Sequence, residues 1–133
     1  MSHREAIEAL RVAELSPQSG VVTEFADVAV AALCTVDSDR TYEFVRAELG
    51  DLAAGDEATT RIRDTLREFL AMNCNHRATA VRLHVHHNTV RYRIAQAERL
   101  LERSVDERRF QTELALHLTE YAAPPAPRPT QLR

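Results

Sequence analysis

Apolar positions recur along this chain at helical spacing, and the pattern is strongest in its second half. Ile62, Leu66, Phe69 and Leu70 fall on one stripe of a helix that begins near Ala58 and runs to about Met72. Asn73-Cys74-Asn75 interrupts it. The segment His76–Leu83 is again helical, a break follows near His84–His86, and a long helix is predicted from about His87 to Glu102. On a wheel of about 100° per residue, Val90, Ile94, Ala97 and Leu101 form a narrow core-facing stripe. Ser104 and Asp106 are candidate caps for a last helix, about 106–121, with Phe110, Leu114 and Leu118 at i+4 spacing.

The first half is also patterned for helices. Ser2 and Glu5 have capping-box spacing at the head of a helix over 2–15. Ser16-Pro17-Gln18-Ser19-Gly20 ends it, and Val21-Val22-Thr23 is at most one marginal short strand. Phe25 to about Thr35 reads as a helix buried along one side. Asp37-Ser38-Asp39 offers caps to the next, about 39–49, with Tyr42, Val45 and Leu49 on one stripe. Gly50 and Gly55 bracket a short loop or single turn. Four prolines crowd the last ten residues, as in an extended or disordered tail. The prediction is an all-α helical bundle in three regions: an acidic helical segment 1–57, a helical domain 58–121 and a proline-rich tail 122–133.

Composition narrows the class. A chain of 133 residues, 44% hydrophobic and 28% charged, has the balance of one globular domain or two small ones. No apolar run approaches the roughly 20 residues of a bilayer span, and no basic segment leads into an apolar one at the start. The expectation is a cytoplasmic protein without a membrane partner. Cys34 and Cys74 cannot make a disulfide scaffold. Cys34 sits in an apolar stripe and reads as a small buried hydrophobe.

Charge changes the picture more. Residues 1–60 hold 4 arginines and 12 acids (net −8), while residues 61–133 hold 13 arginines and 8 acids (net +5). Within 73–97 lie Arg77, Arg82, Arg91, Arg93 and four histidines, and no acid at all. Such asymmetry suits a half that faces a polyanion beside an acidic half.

The stretch 75–94 is where the chemistry concentrates. Read as two helices and a four-residue turn, it has the small residue Ala80 where a second helix crosses close above the first. Val81 or Leu83, then Val85, Val90 and Ile94, are positioned to lock the pair, at the spacing of a helix-turn-helix. His84 stands in the turn position often taken by glycine. The exposed N-terminal half of the second helix presents His87, Asn88, Arg91 and Tyr92, which are candidates for base edges. Arginine can pair bidentately with guanine and asparagine with adenine, and no carboxylate is present to repel phosphate. Asn75, Arg77 and Thr79 at the start of the first helix, with His86, Thr89 and Arg93, are candidates for phosphate.

Leu83-His84-Val85-His86-His87-Asn88-Thr89-Val90-Arg91-Tyr92-Arg93-Ile94 closely resembles the C-terminal helix-turn-helix of the PucR/CdaR-type transcriptional regulators. Asp64–Leu70 and Glu113–Leu118 are similar to that family's flanking helices, and the match runs through about 58–120. Phe25-Ala26-Asp27 and Phe44–Leu52 more weakly resemble the region joining the family's central GGDEF-like domain to its helix-turn-helix. The resemblance implies a Fis-like helix-turn-helix and a sequence-specific transcriptional regulator. It implies double-stranded DNA as partner, a homodimer on symmetric operators, and residues 1–57 as remnant or linker of a central domain. No effector is named by it. His87 stands where the family motif has arginine, and the histidines of 84–87 add groups that titrate near neutral pH.

Other classes fit less well. His84, His86 and His87 straddle a turn and would point in different directions, unlike the i, i+4 pairs of helical zinc sites, so no metal is expected. No nucleophile elbow, phosphate loop or HExxH motif is present, so neither an enzyme nor a cofactor is expected. The remaining alternative is a helical interaction module, or a truncated regulator that forms mixed dimers without binding DNA.

Overall fold

The computed structural model describes residues 28–122. The readings made on 2–15, on the marginal strand at 21–23 and on residues 123–133 of the tail lie outside the described residues. Within them the protein is helical throughout, with no strand. Residues 28–42 and 120–122 fall in one compact unit and Glu43–Thr119 in another.

In the first unit, residues 28–34 are helical and end at a turn before α1 (Ser38–Leu49). Asp37 caps α1: its carboxylate accepts from the Arg40 N–H at 3.1 Å. Cys34 is half-buried and unpaired, more open than its apolar stripe predicts.

The second unit holds the C-terminal part of α1, a 3-10 turn at Gly50–Ala53, α2 (Glu57–Ala71), α3 (His76–Leu83), α4 (His87–Leu101) and α5 (Arg109–Leu118). Gly50 ends α1 at φ +56°, a left-handed conformation that glycine adopts without strain. Asp56 caps α2 by accepting from the Thr59 N–H at 3.0 Å and the Thr59 hydroxyl at 2.9 Å. These bonds hold the Asp56 carboxyl below its usual range.

Helix α2 packs on α3, α4, α5 and the 3-10 turn, and α4 packs on that turn as well. Ile62, Leu66, Phe69 and Leu70 of α2 are buried, as are Val90, Ile94, Ala97 and Leu101 of α4. Both predicted stripes are therefore the core seam. Leu49 and Leu52 are fully enclosed beside them in the same unit. Half-buried arginines tie the backbone together. Arg63 donates to the carbonyls of Leu52 (2.9 Å) and Ala54, and Arg67 to that of Leu116 at 3.0 Å.

The last helix departs from its pattern. Neither Ser104 nor Asp106 caps it; α5 begins at Arg109, after Arg108 adopts φ +53°. Its buried residues are Thr112, Ala115, Leu116 and Leu118, while Phe110 is 70% exposed. A stride of four residues drifts around a helix of about 3.6 residues per turn, and Phe110 ends up opposite the buried arc. Arg108 is held instead by Glu48 of α1, with Nη2 at 2.6 Å and Nε at 3.1 Å. The same carboxylate lies 3.5 Å from Arg103, whose Nη2 donates to the buried Thr112 hydroxyl at 2.7 Å. The hydrogen bond from Arg108, together with the charges of Arg108 and Arg103, keeps the Glu48 carboxyl below its ordinary range against the opposing effect of burial.

Candidate nucleic-acid interface

The interface is built on three consecutive backbone devices. At the end of α2, Asn73 and Cys74 both take positive φ (53° and 61°), and the Cys74 N–H reaches back to the Phe69 carbonyl at 2.8 Å. That reversal delivers Asn75, whose side-chain oxygen accepts from the Ala78 N–H at 3.0 Å and caps α3. Helix α3 then ends in a Schellman arrangement. The Val85 N–H donates to Ala80 O at 3.0 Å and the His84 N–H to Val81 O at 3.3 Å. His84 sits at the left-handed position of this motif with φ 56° and ψ 42°, so a residue with a Cβ occupies a site that favours glycine. His86 caps α4: its Nδ1 accepts from the Asn88 N–H at 3.1 Å.

These devices cross α3 and α4 over Ala80, which is buried, with Val90 and Ile94 beneath. Of the two locking candidates in α3, Leu83 is half-buried and Val81 is 77% exposed, so Leu83 takes that place. Val81 faces outward instead, onto an open concavity of about 420 Å³ between α3 and the head of α4. Arg77, His84, His86 and His87 line it too. Sequence reasoning missed Val81 as a surface residue; its i+4 spacing from Arg77 carried that information.

Most of the predicted contact residues converge on this face. Asn88, Arg91 and Tyr92 are exposed on α4, and His87 is half-buried at its first position. Tyr92 accepts weakly at its hydroxyl from Gln96 Nε2, at 3.4 Å. Asn75, Arg77 and His86 are exposed, and Thr89 is half-buried. Two candidates are drawn away. Thr79 is fully buried and its hydroxyl donates to the Asn75 carbonyl at 2.7 Å, which takes its side chain out of the interface. Arg93 is half-buried and reaches Thr65 of α2 at 3.3 Å, on the flank of the face. Arg82 is engaged by Glu68 at 2.8 Å. Among the described residues, no group of three or more His, Cys, Asp or Glu side chains is placed to hold a metal. No helix among them is long and apolar enough to cross a membrane.

Residues 62–118 match the family of the PucR C-terminal helix-turn-helix domain. The chain carries a PucR-type helix-turn-helix. The matched segment runs from the first core residue of α2 to the end of α5. The chain is 30% identical over 122 residues to the proline-responsive transcriptional activator PutR of Bacillus subtilis (strain 168), covering 88% of this chain and 29% of PutR. It is 31% identical over 100 residues to the transcriptional activator PmfR of Paenarthrobacter nicotinovorans, covering 75% of this chain and 21% of PmfR. It is 39% identical over 64 residues to an uncharacterized protein in the pkwA 5' region of Thermomonospora curvata, covering 48% and 36%. The chain thus spans only a fifth to about a third of the length of these relatives. No solved structure gives a significant match.

Proposed function

We propose that this chain is a sequence-specific, DNA-binding transcriptional regulator that inserts α4 into the major groove of duplex DNA. One observation carries this reading above the others. The exposed head of α4 and the adjoining face of α3 present arginine, asparagine, histidine and tyrosine with no carboxylate among them, over a rigidly capped helix pair. Arg91 and Asn88, one helical turn apart, are the base-reading pair, with His87 and Tyr92 beside them. Arg77, Asn75 and His86 hold the backbone phosphates, with Thr89 and Arg93 at the edge. The PucR-type domain and the names of two relatives as transcriptional activators support the same reading. It includes a homodimer on symmetric sites, a cytoplasmic location and no catalytic activity. Residues 1–57 serve in it as remnant or linker of a central domain, residues 58–121 as the DNA-binding domain and residues 122–133 as a proline-rich tail.

The test is binding to random-sequence and genomic duplexes at two salt concentrations, for wild type and Arg91→Ala. Binding that weakens steeply with salt and selects particular sequences is expected, with the selection relaxed in Arg91→Ala. Absence of binding at low salt and high protein concentration would sink the reading in favour of an interaction module.

A further inference from the structure

Four histidines stand at the DNA-facing surface in a field of one sign. His87 stacks on His86, with ring centroids 4.2 Å apart and planes 30° from parallel. Arg77 and His76 act on it from α3 and Arg91 from its own helix. His84 lines the same concavity from the turn. His76 lies against Phe69 of α2, at 4.8 Å. The α2 carboxylate that reaches α3, Glu68, is paired with Arg82. No acid occurs between residues 73 and 97. Partial desolvation, then the positive charges of His86, Arg77, Arg91 and His76, push the His87 imidazole below its ordinary value.

We propose that duplex DNA binding by this chain is coupled to proton uptake at the His84–His87 cluster, with His87 as the principal site. The inference rests on the DNA-binding reading above. A phosphate brought against this surface reverses the sign of the local field. It favours the imidazolium that the free protein disfavours. The complex then binds more protons than its separated parts. Affinity therefore rises as pH falls through the window between the raised value in the complex and the lowered value in the free protein, and is flat on either side. Each proton taken up steepens the dependence by at most about tenfold per pH unit. The imidazole at position 87 makes the contact conditional on proton supply.

Two measurements test this at constant salt. Dissociation constants for one duplex from about pH 8 to about pH 6 bracket the ordinary histidine range. Calorimetric titrations in buffers of different ionisation enthalpy count the protons directly. Wild type is expected to bind several-fold tighter at the lower pH, with net proton uptake. His87→Arg, carrying a permanent charge, should bind tighter at the higher pH and lose most of the slope. His87→Gln should lose the slope by failing to gain affinity at the lower pH. Binding with no pH slope and no proton uptake overturns the proposal and leaves the DNA reading standing. A wild-type slope retained in both variants also overturns it. Absence of binding at every pH overturns the DNA reading and this inference with it.

Discussion

Replacing Glu48 is the sharpest test of how the helix-turn-helix is held from outside its own sequence. The Glu48 side chain is 12% exposed and faces Arg103, itself 14% exposed, and Arg108, 54% exposed. Truncation to alanine leaves the Arg103 guanidinium enclosed with only the Thr112 hydroxyl, and its Nε already has no hydrogen-bond partner. Breaking a fully buried ion pair costs about 3–5 kcal/mol. This one is slightly wet, and the Arg108 arm is solvent-screened. The expected loss for Glu48→Ala is therefore about 2 kcal/mol. For a unit of this size that corresponds to a fall in Tm of roughly 8–16 °C. Glu48→Gln, which keeps an acceptor, should fall between the two proteins. Arg108→Ala should do less, because its guanidinium is open to solvent.

The pH dependence has a definite sign. The folded-state carboxyl lies below its ordinary value, so the advantage of wild type over Glu48→Ala is fully present above the unfolded glutamate range. It disappears as pH falls through the lowered folded value. Thermal melts followed by circular dichroism at several pH values measure both effects. A Glu48→Ala protein within about 0.5 kcal/mol of wild type at neutral pH would refute the ion-pair argument.

Other substitutions probe separate links. His84→Gly should raise stability by about 0.5–1 kcal/mol, since it relieves a left-handed Cβ at the Schellman position; a denaturant titration showing destabilisation would contradict this. Leu66→Ala, at a fully buried site, should cost about 3 kcal/mol by the same assay. Arg77→Ala should weaken all duplexes alike and reduce the salt slope by about one. Arg91→Ala should instead lose about 1–3 kcal/mol of discrimination at one base pair. If the two variants exchanged behaviours, the assignment of phosphate and base contacts would be reversed.

Much of this molecule was legible because its strongest signals are periodic and local. The core stripes of α2 and α4 repeat over several turns, so a wheel locates the buried face without knowledge of what covers it. The interruption at Asn73–Asn75 and the cap at Asp37 rest on local chemistry, and both occur where the residues indicate. The absence of acids between residues 73 and 97 is a property of composition, although folding brings Glu68 of α2 onto Arg82 of α3.

Short or weakly periodic signals failed for a physical reason. In α5 three large residues at i+4 spacing suggested a stripe, yet the helix buries the arc of Thr112, Ala115 and Leu118 and turns Phe110 outward. Its start depends on Arg108, whose left-handed backbone accompanies a clasp with Glu48, sixty residues upstream. In α3, burial of Thr79 and exposure of Val81 follow from where α4 crosses, and nothing within eight residues of helix fixes that direction.

The sequence by itself determined the core helices, the core seam and a basic segment, 73–97, free of carboxylates, because spacing and residue type are local properties. Tertiary structure decided which candidates reach the face and which are withdrawn beneath it. It also decided that the 3-10 turn packs on α4 and that Glu48 clasps Arg103 and Arg108 after it. Those outcomes depend on contacts between residues far apart in the chain, which no periodicity encodes.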